Sequence, residues 1–247
     1  MGCGKPINDS ERIISRADVD MDSMRWDKSS FPLNIKIAQN LDLRSQALAS
    51  AALDEWERGA NIDFFNALET TSHLNFSRLS DYYYRDKTTN GIYLSEIPID
   101  ELQAPNLAVT QIIFFTNTEI PSKPFYEILH ADIVINGYDY NFSSSPFDNG
   151  AYYLLTLILH EVGHVLGLGH HNEGIMYPSM SILDKQETLT DYDKSVILEK
   201  YGPGINPGIP SNGYLGVNSS SDLKIVRLYL PDSKFLPGLV IKHKSRL

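Results

Sequence analysis

The stretch LHEVGHVLGLGHH places His160, Glu161, His164 and His170 inside an otherwise oily run, with His171 directly after the last of them. Lys and Arg are absent between Lys123 and Lys185. Burying ionisable groups without partners costs several kcal/mol, so a compensating interaction is required, and a metal ion is the first to test. The spacing is H-E-x-x-H-x-x-G-x-x-H. On a helix, His160 and His164 are four residues apart and leave the same face. Two neutral imidazoles so placed can bind one zinc ion at roughly 2.0–2.1 Å each. Glu161 is not expected to be a ligand; its carboxylate can reach a water on the metal. Gly167 lets the chain leave the helix sharply, in a conformation a side chain resists, and brings His170 round as third ligand. Three protein ligands leave one position for water, the catalytic rather than the closed structural arrangement. A single histidine on an apolar helix is ordinarily a core residue. Four ionisable groups matching one geometry, with glycine at the bend, are not explained that way.

The elements that must hold these residues can be read from periodicity. Residues 148–167 form a long, nearly all-apolar helix, expected to be central and buried. Residues 43–59 follow helical spacing through Leu43, Ala47, Leu48, Ala51, Ala52, Glu55 and Trp56, with Gly59 as the stop. Residues 189–202 make a last helix, with Thr190 as N-cap and Gly202 as stop. Strands are expected over 31–38, 90–97, 108–116, 129–136 and 138–143. After Gly202 the chain turns rich in Gly, Pro, Asn and Ser, which favours a loop, before LKIVRLYL (223–230) alternates like a strand. This divides the chain into a tether or propeptide remnant (1–23), a catalytic domain (24–203) and a C-terminal extension (204–247). The extension reads either as a hairpin on the domain or as the start of another module.

The zinc motif is also the signature of the metzincin metalloproteases. Six residues past His170, GIMYPSM resembles the family's Met-turn, with Met176 in the place of the methionine beneath the metal. The sequence MYP resembles the matrixin branch, as do RWDKSSFPLNIKI, ALASAALDEWERGANIDFF, ADIVIN and LTDYDKSVILEKYG; the short 135–148 segment points to a trimmed bacterial version. The resemblance implies an α+β, zincin-like domain. Its twisted five-stranded sheet would be mostly parallel with an antiparallel edge strand, beside an active-site helix and a C-terminal helix. It implies a zinc-dependent endopeptidase with ligands His160, His164 and His170 and general base Glu161. Substrate would be a protein or peptide bound in extended form along the edge strand, read here as 130–136. Tyr177, Pro178 and the loop 181–188 would wall the pocket for the residue after the cut. Animal relatives carry a second, structural zinc and calcium. The spare histidines here, His73, His130, His171 and His243, are scattered, and His130 and Asp132 are read as alternating faces of a strand. A second zinc is therefore not expected, while Ca²⁺ stays open.

The formal net charge of −10 over 247 residues argues against nucleic acid or an anionic membrane surface as partner. No apolar run approaches the ~20 residues needed to span a bilayer. The single cysteine, Cys3, excludes an internal disulfide framework. Its setting, MGCGKP, allows three readings: the lipid-bearing cysteine of an exported bacterial lipoprotein, attached to a membrane through that lipid; a cysteine switch like the Cys-Gly-x-Pro of matrix metalloproteinase propeptides; or a free terminal thiol. An exported, extracellular or cell-surface monomer is expected. Two rival functions stand beside the protease: a surface binding or adhesion protein that keeps the fold without activity, and a zinc hydrolase of a non-peptide bond.

Overall fold

The computed structural model describes residues 12–13, 21–86, 88–102, 104–115, 126–203 and 225–231. In chain order the elements are β1 (Arg12–Ile13), β2 (Met24–Arg25), β3 (Ile35–Ala38), α1 (Leu43–Ala60), β4 (Glu69–Thr71), α2 (Leu79–Arg85), β5 (Asn90–Ser95), β6 (Ala108–Phe115), β7 (Tyr126–Asn136), β8 (Phe142–Ser143), β9 (Tyr152–Tyr153), α3 (Leu154–Val165), α4 (Asp191–Tyr201) and β10 (Ile225–Pro231). One sheet runs β1-β10-β6-β7-β5-β3-β4. Strands β7, β5, β3 and β4 are mutually parallel, and β6 is antiparallel to β7. These five strands are the mostly parallel sheet of the α+β domain that the resemblance implies. The sheet does not stop at β6, however, because β10 pairs antiparallel with it and β1 pairs parallel with β10.

Period-two alternation divides the sheet into two faces. Ala108, Ile112 and Phe114 of β6 and Ala131, Ile133 and Ile135 of β7 face the main core with α1 and α3. Val109 and Val134 face a smaller cluster with Leu79 and Tyr82 of α2. The same alternation corrects the expectation for His130 and Asp132. Residues two apart share a strand face, so the His130 Nε2 lies 2.8 Å from Asp132 Oδ2, both buried, and Gln111 Nε2 approaches the same oxygen at 3.5 Å.

Helix α3 is buried along its whole length, so its ends need internal partners. At the C-terminal end Trp26 Nε1 donates to Val165 O at 2.7 Å and Tyr201 Oη donates to Leu166 O at 2.9 Å. Trp56 of α1 donates to Leu159 O at 2.9 Å from the side. Three aromatic residues thus satisfy carbonyls that no water can reach, and all three are themselves almost fully buried.

Several element limits differ from the periodicity reading. The helix expected from 148 begins at Leu154, because Asp148 Oδ1 accepts from Gly150 N in a turn and Tyr152–Tyr153 pairs with Phe142–Ser143. Within 138–143 that two-residue strand is all that forms. The fifth strand of the main sheet is β4 instead, an exposed Glu-Thr-Thr segment with little hydrophobic signal. Helix α1 runs through Gly59 to a left-handed cap at Asn61 (φ 53°). Gly59 is there for space: a Cβ would come within 2.8 Å of Leu189 Cδ1. Helix α4 keeps Thr190 as N-cap and Gly202 as C-cap, as expected.

Candidate metal centre

Helix α3 and the turn after it bring three imidazoles to one point. His160 Nε2 and His164 Nε2 lie 3.1 Å apart, and His164 Nε2 and His170 Nε2 3.2 Å. One nitrogen from each ring falls within 4.8 Å of the others, and among the described residues no other His, Cys, Asp and Glu converge in this way. Backbone carbonyls settle the tautomers. His160 Nδ1 is 2.6 Å from Ile175 O and His164 Nδ1 is 2.7 Å from Leu168 O. A carbonyl only accepts, so both Nδ1 atoms carry the proton and both Nε2 atoms present lone pairs. Lone pairs aimed at one another at this distance repel unless an electrophile sits between them. Nitrogens bound tetrahedrally to zinc at ~2.0–2.1 Å stand about 3.3–3.4 Å apart, so the donor set fits that ion. His160 and His164 are buried and His170 is half-buried, which opens the site on the His170 side.

The bend that delivers His170 depends on Gly167, whose φ is 81° and whose added Cβ would meet Met24 O at 2.7 Å. Gly167 N donates to His164 O at 2.8 Å and Leu168 N to Gly163 O at 2.9 Å, closing the helix as the chain reverses. Met176, 1% exposed, packs against α3 at Gly163. A Cβ on Gly163 would collide with its Sδ and approach Trp56 Cζ2 at 3.0 Å. The glycine between Val162 and His164 is therefore what lets the Met-turn sit against the helix.

That turn is tied down by Asp193 on α4. Its carboxylate accepts from Ile175 N at 2.9 and 3.1 Å and from Thr190 N and Oγ1 at 2.8 and 2.7 Å. Ile175 in turn offers its carbonyl to His160. A chain of hydrogen bonds thus runs from the start of α4 to the first imidazole.

Glu161 is fully buried on the sheet side of α3, where Thr110 Oγ1 of β6 donates to its Oε2 at 2.5 Å. His171 faces away from the cluster, with Nδ1 3.1 Å from Tyr192 Oη. A cleft of about 330 Å³ opens beside His160, lined by Leu107, Leu157, Ile175, Tyr177, Pro178 and Met180 among others. Leu183, Asp184, Lys185 and Gln186 close its far side. Thr156 Oγ1 holds this loop by donating to Gln186 O at 2.8 Å, and Tyr153 Oη by donating to Glu187 Oε1 at 2.8 Å. Burial and Glu187 together push the Tyr153 hydroxyl up to about 12, so it stays a neutral donor.

The structure therefore brings His160, His164 and His170 to one point and sets His160, Tyr177 and Pro178 on one cleft, while Glu161 and Met176 are buried in or against α3. Cys3 lies outside the described residues. The strand assigned to peptide pairing is corrected: β7 is flanked by β5 and β6 and has no open edge, and β6 is the strand that touches Glu161. Sequence reading missed Thr110, Gly163 and Asp193. Thr110 and Gly163 carry no local signal, whereas Asp193 was visible as the N3 residue of a Thr-x-x-Asp capping box.

Comparison with known proteins gives two findings. The matrixin family model matches residues 25–202. Metalloendoproteinase 1-MMP of Arabidopsis thaliana is 42% identical over 52 residues, 20% of this chain. The shared stretch spans only 14% of that relative's own length.

Proposed function

The chain belongs to the matrixin family, a family of zinc metalloendopeptidases, and on that premise we propose that it hydrolyses peptide bonds at the His160–His164–His170 centre. The observation that carries this reading is the convergence of three imidazole Nε2 atoms, two of them from the helix that also carries a buried glutamate, with a cleft opening beside the first of them. Residues 24–203 are taken as the catalytic domain. A zinc ion held there would lower the pKa of a bound water toward ~7 and polarise the scissile carbonyl.

The chain's own groups do the rest. Glu161 accepts the proton of the attacking water and hands it to the leaving amine. With Oε2 held by Thr110, that proton exchange falls to Oε1, and the carboxylate cannot swing away between the two transfers. The peptide would lie extended against the outer edge of β6, the edge that β10 covers in this structure, where main-chain hydrogen bonds hold it with little sequence demand. The cleft takes the side chain that follows the cut. Its Leu, Ile and Met lining favours a large apolar residue there, with Tyr177 and Pro178 as part of the wall.

Export and membrane attachment through a lipidated Cys3 belong to the same proposal and rest on MGCGKP alone. The intact Glu161 speaks for an active enzyme over an inactive binding protein. A peptide-library digest read by mass spectrometry tests activity and preference together. The expected result is chelator-sensitive cleavage before large apolar residues, lost in Glu161→Gln while zinc stays bound. Cleavage by Glu161→Gln at the wild-type rate would remove the assigned base.

A further inference from the structure

Every strand has two edges, and those of β6 are both taken. One carries β7. The other carries β10, paired antiparallel over seven positions from Ile225↔Phe115 to Pro231↔Val109. Yet β6 is the strand that reaches the site. Thr110 bonds Glu161, and Leu107, just before β6, lines the same cleft as His160. An extended peptide crossing that cleft needs the edge that β10 holds. The seated strand even ends on the cleft side, since Pro231 stands opposite Val109, two residues from Leu107.

We propose that Ile225–Pro231 is a built-in competitor for substrate, a strand of the C-terminal extension that pairs with the peptide-binding edge of β6 and must leave before a peptide can use it. This rests on the peptidase reading above.

Three further observations bear on it. The sequence between Pro203 and Ile225 is rich in Gly, Pro, Asn and Ser. Covalent attachment presents the strand at an effective concentration of roughly mM, so it competes with dilute substrate. Charge favours the docking as well. Residues 223–247 carry six Lys and Arg against one Asp, whereas the rest of the chain carries fifteen basic and thirty acidic residues. A basic tail is attracted to an acidic body, the more so at low salt. Finally, β1 pairs with the outer edge of β10, at Arg12↔Val226 and Ile13↔Arg227. The N-terminal segment thus braces the C-terminal strand, and trimming either end would loosen the cover.

The test uses the full chain. In the double variant Leu228→Pro/Tyr229→Pro, neighbouring positions lose their N–H groups, so a ladder donor is removed whichever of the two faces β6. A second form carries a specific-protease site between Asn212 and Gly213 and is nicked after folding. Three readouts apply. Amide exchange on Val109–Phe114 should quicken in both altered forms. A fluorescein-labelled peptide of residues 223–231 should bind both altered forms about tenfold more tightly than the intact chain. KM for a cleaved peptide should fall about tenfold with kcat unchanged, and the unlabelled 223–231 peptide should restore it.

Unchanged exchange on β6 would show that β10 does not sit on that edge. Faster exchange with equal peptide binding, or with unchanged KM, would show that the strand does not stand in the substrate's way. Either result overturns the proposal. Exchange and peptide binding need no turnover, so a failure of the peptidase reading appears separately, as an intact chain and altered forms that cleave nothing.

Discussion

Replacing Asp193 by alanine tests whether the Met-turn and the first imidazole are held by one chain of hydrogen bonds. The carboxylate has three donors: Ile175 N, Thr190 N and Thr190 Oγ1. Thr190 is exposed, so water replaces most of what its groups lose, and that part amounts to loss of an N-terminal cap, about 1 kcal/mol. Ile175 N is buried and water does not replace its acceptor. A hydrogen bond to a charged group is worth about 1.5–3 kcal/mol, and this one is lost outright. The sum is about 3 kcal/mol, which for a domain of this size lowers the thermal midpoint by about 6–12 °C. The functional consequence follows from the next link. Ile175 O orients His160 through Nδ1, and loosening such an outer partner weakens metal binding by about 10–100-fold. Competition with a chromophoric zinc chelator measures the second effect and thermal unfolding by circular dichroism the first. A variant that binds zinc as tightly as wild type and melts within 2 °C of it, on the same ~2–4 °C per kcal/mol scale, would refute the chain of contacts.

Thr110→Val removes the hydroxyl that holds Glu161 while keeping the shape of the side chain. One charge-assisted hydrogen bond predicts a fall in kcat of about 10–100-fold with KM little changed, largely rescued by Thr110→Ser; steady-state kinetics on the three forms decides it. Gly163→Ala drives a methyl into Met176 Sδ and Trp56, so about 1–3 kcal/mol of stability should go, with zinc affinity falling alongside; chemical unfolding with and without metal reads both. Asp42 caps α1 through Ser45 N at 2.7 Å, and that backbone bond holds its carboxyl below the ordinary aspartate range. A depressed folded pKa gives stability that is present above the unfolded value and disappears as pH falls through the folded one. Asp42→Ala should therefore cost about 1 kcal/mol at pH 7 and progressively less in acid, as followed by urea unfolding across that range.

How far the sequence discloses this molecule depends on whether each feature is local. The three histidines, Glu161 and Gly167 lie within eleven positions, so their relation is fixed by helix geometry and one bend, and the structure places them as that geometry requires. The ends of α4 were equally plain, because a cap is written in the residues that form it. Longer-range features were hidden. Strand β4 is exposed on two of its three residues and owes its existence to β3, not to its own composition. The role of Thr110 arises from strand β6 crossing α3, fifty-one residues away in sequence. The open edge assigned to 130–136 was an error of sheet order, which alternation within one strand does not report. The occupation of β6 by β10 is a contact between segments more than a hundred residues apart.

The account stands most directly on what binds between His160, His164 and His170. Elemental analysis of chelator-stripped and zinc-reconstituted protein, with X-ray absorption at the zinc edge, measures it. The predicted result is one zinc per chain, bound by three imidazole nitrogens and one oxygen from solvent, and lost in His164→Ala. Reconstituted protein that holds no zinc, or holds it equally well without His164, would contradict the account.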